Sequence, residues 1–142
     1  MIDEVWNKLS EKLKECEKSK DVPVAALIFK DKKMYASARN VRFKNKDITG
    51  HAEIKAINKV YRKSKSKNLS EFNMVVTLKP CLMCLAAIEQ ANIKSVFYFL
   101  DNLKVDYSRF KTNIIFLKIL SSKNKDFEII LKEFFKKLRN NR

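Results

Sequence analysis

Met74-Val75-Val76-Thr77-Leu78-Lys79-Pro80-Cys81-Leu82-Met83-Cys84-Leu85-Ala86-Ala87-Ile88 passes from strand to helix in one stroke. Met74–Leu78 is apolar, rich in valine and of strand length, the pattern of a strand covered on both faces. Pro80 suits a first helical position, where its missing N–H would go unpaired anyway, so a helix is expected over 81–91. Ser95–Leu100 reads as the next strand, which completes a β-α-β unit. Upstream, Val22–Phe29 is a second continuous apolar run of strand length, with Lys33–Arg39 as its hairpin partner and Lys30–Lys32 as the turn. Arg42–Thr49 reads as polar loop, and residues 51–63 as a helix with Ile54, Ile57, Val60 and Tyr61 on one face.

At the start of the chain, Ile2, Val5, Trp6, Leu9, Leu13 and Cys16 recur at helical spacing, so 2–18 reads as an amphipathic helix. Residues 64–71 are a polar connection and 101–112 a loop or short turn of helix; Ile114–Leu120 reads as a strand. Phe127–Arg139 is a final amphipathic helix, its Phe127, Ile130, Leu131, Phe134 and Leu138 expected in the core. Strands alternating with helices imply helices on both faces of a sheet. The expectation is an α/β fold: a three-layer α/β/α sandwich on a mixed five-stranded sheet, one domain over 1–142.

Hydrophobic residues make up 46% of the 142 residues, which excludes a disordered chain. The longest apolar runs are far short of the roughly 18 residues of a membrane span, and the acidic start carries no secretory signal. Three cysteines, Cys16, Cys81 and Cys84, do not make a disulfide framework, and a reduced cytoplasmic setting is expected. Thirty-one Lys and Arg against 16 Asp and Glu leave a net charge of +15. Such charge favours a polyanionic partner, nucleic acid or an anionic surface; a compositional bias toward lysine and asparagine is the plain alternative. Three basic blocks carry much of it: Lys30–Lys46, Lys55–Lys67 and Lys132–Arg142.

Two motifs carry chemistry: His51-Ala52-Glu53 and Pro80-Cys81-Leu82-Met83-Cys84. Each opens a helix, and positions i and i+3 share a helix face, so Cys81 and Cys84 can grip one metal ion. The positive end of a helix favours thiolate, the form that binds metal. His51, the only histidine, would be the third ligand. Two thiolates and an imidazole suit zinc, and three protein ligands leave the fourth position for water. Glu53, two residues past His51, fits a general base. Three plainer readings stand beside this one. The Cys-x-x-Cys is a redox pair, the zinc is structural with Cys16 as fourth ligand, or Cys16 is simply a small buried residue.

H-x-E followed by P-C-x-x-C is the signature of zinc-dependent nucleobase deaminases. Beyond it, the chain resembles bacterial tRNA-specific adenosine deaminases, from about Val22 to Ile93 and again in the C-terminal helix. Val22-Pro23-Val24 resembles the family's first strand, Asn40 the asparagine that ends its second, Thr49-Gly50-His51-Ala52-Glu53 its first zinc motif, and Val76–Cys84 its second. The resemblance implies a cytidine deaminase-like fold, a homodimer, one Zn2+ per subunit on His51, Cys81 and Cys84, and hydrolysis of a wobble adenosine in a tRNA anticodon loop to inosine. It implies Glu53 as the proton shuttle and Asn40, Ala52, Val24 and Asp101 as substrate contacts. The Phe-Phe-basic ending implies RNA contacts by Phe135, Lys136, Lys137 and Arg139, an aromatic beside basic residues being suited to stacking and phosphate contact.

The chain departs from the family pattern at Lys79, where glutamate is usual, at Gly50 and Ala25, and in a shortened 101–113 segment. The short segment favours a first rival, a deaminase of free nucleobases, nucleosides or nucleotides. A second rival is an RNA-binding subunit without activity, against which Glu53 and all three ligands speak.

Overall fold

The structure is a computed structural model that describes residues 2–66 and 68–140. Its helices are α1 (Ile2–Ser19), α2 (Arg42–Asn45), α3 (Ala52–Ser64), α4 (Leu82–Gln90) and α5 (Asn124–Asn140). Its strands are β1 (Ala25–Lys30), β2 (Lys33–Arg39), β3 (Asn73–Leu78), β4 (Ser95–Leu100) and β5 (Ile115–Lys118). The strands form one sheet in the order β2-β1-β3-β4-β5. β1 runs antiparallel to both β2 and β3, while β3, β4 and β5 are parallel. The sheet is mixed and five-stranded, as expected.

Side chains alternate across the sheet and so build two cores. Ala26, Ile28, Met74, Val76, Val96 and Tyr98 face α3 and α4, meeting Ala56, Val60, Leu85 and Ile88. Ala25, Leu27, Val75 and Phe99 face the other way, onto Val5, Leu9 and Leu13 of α1 and Phe127 of α5. This is why β1 and β3 read as nearly continuous apolar runs, with Thr77 as the buried polar exception in β3, rather than as alternating ones.

Several boundaries differ from the sequence reading. β1 starts at Ala25, not Val22: Pro23 has no N–H to donate, and the Val24 N–H turns back onto the Val22 carbonyl at 2.9 Å. Arg42–Asn45, read as loop, is a short helix, because buried Asp21 accepts hydrogen bonds from the N–H groups of Phe43 (2.6 Å) and Lys44 (3.3 Å). Pro80 precedes the helix rather than opening it; Cys81 is the N-cap and Leu82 the first helical residue. β5 is shorter than Ile114–Leu120, and α5 begins three residues before Phe127, at Asn124, whose amide donates to the Phe99 and Ile119 carbonyls.

The α5 stripe is the largest correction. Only Phe127 is buried; Leu131 and Phe134 are half-buried, and Ile130 (39%) and Leu138 (45%) are exposed. The helix reaches the core at its start, where Phe127 meets Phe99 edge-on at 4.9 Å and Trp6 at 6.2 Å. Among the described residues, no helix is long and apolar enough to cross a membrane.

Candidate active site

His51 and Cys81 are the N-caps of α3 and α4, and neither side chain makes a capping hydrogen bond. An N-cap side chain ordinarily turns back to accept an N–H of the first turn. Here both are free to face each other. Cys84 lies three residues after Cys81, the spacing at which an N-cap and an N3 side chain meet in a capping box. His51 Nδ1 is 3.5 Å from Cys81 Sγ and 3.4 Å from Cys84 Sγ. The three donor atoms lie within 4.8 Å of one another and form a group able to hold a metal. One nitrogen and two sulfurs are the donor set of zinc.

Electrostatics follow from this crowding. A hydrogen bond from the Cys84 thiol, with His51 also beside it, pulls Cys81 down to about 4. The same bond and burial push Cys84 up. His51 is raised, chiefly by its hydrogen bond to Cys81. Glu53, on the first turn of α3, is 4% exposed. Burial, with the Cys81 thiolate nearby, pushes its carboxyl up to about 7.

A cavity of about 170 Å³ opens on this group. Its walls include His51, Ala52, Glu53 and Cys81, together with Val24 and Asn40. The Asn40 side chain also holds the backbone around it: its amide donates to the Val22 carbonyl (3.2 Å) and its oxygen accepts from the Arg42 N–H (2.9 Å). Each amide end keeps one further hydrogen-bonding position. The sole glycine, Gly50, serves the same corner: a Cβ there would stand 3.0 Å from Arg42 N and Asp47 O, so a side chain would push the α2 loop outward by a few tenths of an ångström.

Not every expected residue converges here. Asp101 is outside the cavity wall and paired with Lys118 at 2.7 Å; its neighbour Asn102 lines the cavity instead. Phe135 lies on α5, half-buried, with the Lys104 ammonium 4.6 Å over its ring and Phe134 edge-on at 5.3 Å. Lys136, Lys137 and Arg139 are exposed on the same helix, away from the cavity. Cys16 is fully buried, raised by that burial, and stands apart from the three-donor group.

Sequence reading missed Arg42 and Leu78 as cavity residues. The signal for Arg42 was its place two residues after Asn40. Lys79, noted only as a departure, also lines the cavity, its ammonium boxed by Tyr107 (4.0 Å), Phe116 (4.7 Å) and Tyr98 (5.3 Å). Tyr107 donates its hydroxyl to the Pro80 carbonyl at 2.7 Å and so braces the turn into α4.

A mixed sheet carrying His/Cys/Cys on two helix N-termini, with a buried glutamate beside them, defines the class of the nucleobase deaminases. The chain belongs to the MafB19-like deaminase family, whose model matches residues 2–139, and to the tRNA-specific adenosine deaminases. The tRNA-specific adenosine deaminase of Rickettsia felis is 33% identical over 132 residues, covering 84% of this chain and 90% of that one. That of Aquifex aeolicus is 34% identical over 128 residues, covering 85% of each. Among solved structures, one from a study of A-to-I editing by tRNA:A34 deaminases matches with a TM-score of 0.77 at 22% identity, covering 89% of this chain and 97% of that one. A guanine deaminase from Bacillus subtilis shares the fold with a TM-score of 0.62 at 24% identity, covering 89% and 92%.

Proposed function

We propose that this chain hydrolyses adenosine to inosine at the wobble position of a tRNA anticodon, with one zinc ion per subunit on His51, Cys81 and Cys84. The observation that carries the reading is a buried carboxyl, Glu53, beside a three-donor group to which Cys16 adds no fourth ligand. Three donors leave a position open to solvent chemistry, where a structural site would be closed. The curated relatives, named for tRNA adenosine, direct the choice of substrate.

When bound, zinc supplies Lewis-acid charge and makes water a nucleophile near neutral pH. Glu53 does the proton work. Buried beside the donor group and lining the cavity, it is placed to exchange protons with water and base there. It accepts one from the attacking water and delivers it to the ring nitrogen, then takes the second from the hydroxyl now on the ring carbon and passes it to the departing amine as the C–N bond breaks, so that adenosine and water become inosine and ammonia. Asn40 and the Ala52 backbone orient the base, Val24 packs on it, and Asn102 takes the place expected of Asp101 in the wall. A base of an anticodon loop is already unpaired, so presenting it costs little. Phe135, Lys136, Lys137 and Arg139 meet RNA beyond the target nucleotide. The reading carries a homodimer and a cytoplasmic setting, which three free cysteines fit.

The test is inosine in total tRNA, read by sequencing after incubation with zinc-loaded wild type or Glu53→Ala. Wild type is expected to convert a wobble adenosine, and Glu53→Ala to lose about 10²–10⁴-fold in rate. Wild type that binds zinc and leaves every wobble adenosine intact sinks the reading. Turnover of a free base or nucleoside in the same assay would establish the second reading, which the short 101–113 segment favours.

A further inference from the structure

A second and larger concavity, about 800 Å³, lies along the open edge of β2, between α1 and α3. Six cations line it: Lys12, Lys18, Arg39, Lys44, Lys55 and Lys59, against one carboxylate, Glu15. Arg39 is held by Glu15 and buried Asp21, Lys12 by Glu15, and Lys55 by Asp47. Lys18, Lys44 and Lys59 have no carboxylate partner among the described residues. All three are exposed. Lys59 shows the crowding: although its side chain is exposed overall, partial desolvation and the charges of Lys12, Lys63 and Lys55 push its ammonium down.

Part of this charge has a structural use. Lys59 donates to the Ser37 carbonyl at 2.6 Å and Lys63 to the Tyr35 carbonyl at 3.3 Å, capping backbone oxygens of the free edge. Lysines on an edge deter pairing with another strand. That accounts for neither Lys18 nor Lys44, which lie on α1 and α2 and cap no edge carbonyl. Those two, with Lys12, Lys55 and Lys59, spread along three elements instead of converging on a point. Lys12 and Lys18 alone are about 9 Å apart along the axis of α1. Such a row suits an extended polyanion rather than a single small anion.

The row also leads to the site. α2 is the partition: Val41 and Lys44 face the basic trough, while Arg42 lines the catalytic cavity. Asp21 ties α2 to the end of α1, which fixes the partition against both. We propose that the trough between α1, α2 and α3 is a track for the phosphodiester backbone of the RNA substrate beyond the target nucleotide. This rests on the deaminase reading above. Lysine ammonium groups there contact phosphate and carry no sequence preference.

The test compares three zinc-loaded proteins on a tRNA bearing a wobble adenosine: wild type, Lys18→Gln/Lys44→Gln/Lys59→Gln, and Lys94→Gln/Lys111→Gln/Lys125→Gln. The last removes the same charge from exposed positions outside the trough. Removing each phosphate contact lowers the slope of log K against log salt by roughly 1, so the trough variant is expected to lose about 2–3 from that slope. Its KM is expected to rise about tenfold, with the loss in KM rather than kcat. The control is expected to follow wild type. Circular dichroism and a thermal midpoint check that each variant folds. A trough variant with the control's slope and KM overturns the track while leaving the deaminase reading intact. If wild type deaminates no tRNA, that reading fails, and the salt slope of tRNA binding still decides the trough.

Discussion

At the scale of single residues, the site is a conflict of charges held in little space. A glutamate that is 4% exposed, next to a thiolate, is costly to ionise without a cation. Its carboxyl is raised from 4.5 to about 7. A raised acid contributes stability that is fully present below the unfolded value and lost as pH climbs through the folded one. In chelator-treated protein, Glu53→Gln removes the charge and keeps the shape. Its stability relative to wild type is therefore expected to improve by about 2 kcal/mol between pH 5 and pH 8, measured by urea unfolding at each pH. An unchanged difference across that range would mean that Glu53 titrates as an ordinary surface carboxyl. The grouping of these residues was legible in the chain because a motif able to hold a metal fixes residue type and spacing together. His51, Glu53, Cys81 and Cys84 stand where the motifs put them. Asp101 and Asn102 were not separable, because adjacent loop residues point apart and nothing in a sequence says which one turns inward.

At the scale of elements, the scarcity of glycine decides the turns. The chain has one glycine, and lysine takes most of the left-handed positions: Lys20, Lys32, Lys46 and Lys65 have φ from 50° to 66°, with Asp31 at 49° and Asn92 at 65°. Asp31 and Lys32 form the two-residue β1–β2 turn, both at positive φ, the geometry that prefers Asn-Gly. Lys65 caps α3 in the left-handed region. For residues with a Cβ this conformation costs about 1–2 kcal/mol, partly offset by the unfolded-state entropy that glycine would add. Lys32→Gly and Lys65→Gly are each expected to stabilise by about 0.5–1 kcal/mol, read as a rise in the urea midpoint. Destabilisation by either would show that the lysine side chain contributes more than its backbone costs. Element type was readable throughout the sheet, because both faces of β1 and β3 are covered and their runs are nearly all apolar. The ends were less so. The capping of α2 by Asp21, 21 residues before its first residue, is a tertiary contact that no local pattern announces. The α5 stripe misled for the opposite reason: its periodicity is real, but only the first turn finds a partner in the core.

At the scale of the whole molecule, the net charge of +15 acts on folding and on binding with opposite signs. Within the protein, like charges repel, and the repulsion reaches over a Debye length of about 30 Å in 0.01 M salt and about 3 Å in 1 M. Salt should therefore relieve the folded state. It also weakens the ion pairs, but apart from Arg39 with buried Asp21 most are peripheral: Lys30–Glu71, Lys118–Asp101 and Lys132–Glu128 all have exposed carboxylates, and such pairs contribute about 0–1 kcal/mol each. Repulsion, summed over the excess, is the larger effect. Raising NaCl from about 0.02 to 0.5 M is expected to raise the thermal midpoint by several degrees, at roughly 2–4 °C for each kcal/mol. Toward RNA the same charges work by releasing counterions from phosphate, so the same salt increase must loosen the complex steeply. A midpoint that falls with salt would mean that the ion pairs outweigh the repulsion, and that the excess charge is already compensated on the folded surface. A midpoint that rises while tRNA affinity collapses would show one population of lysines to be a burden on the free protein and an asset to the bound one. That is the pattern expected of a surface shaped by a polyanion rather than by composition alone.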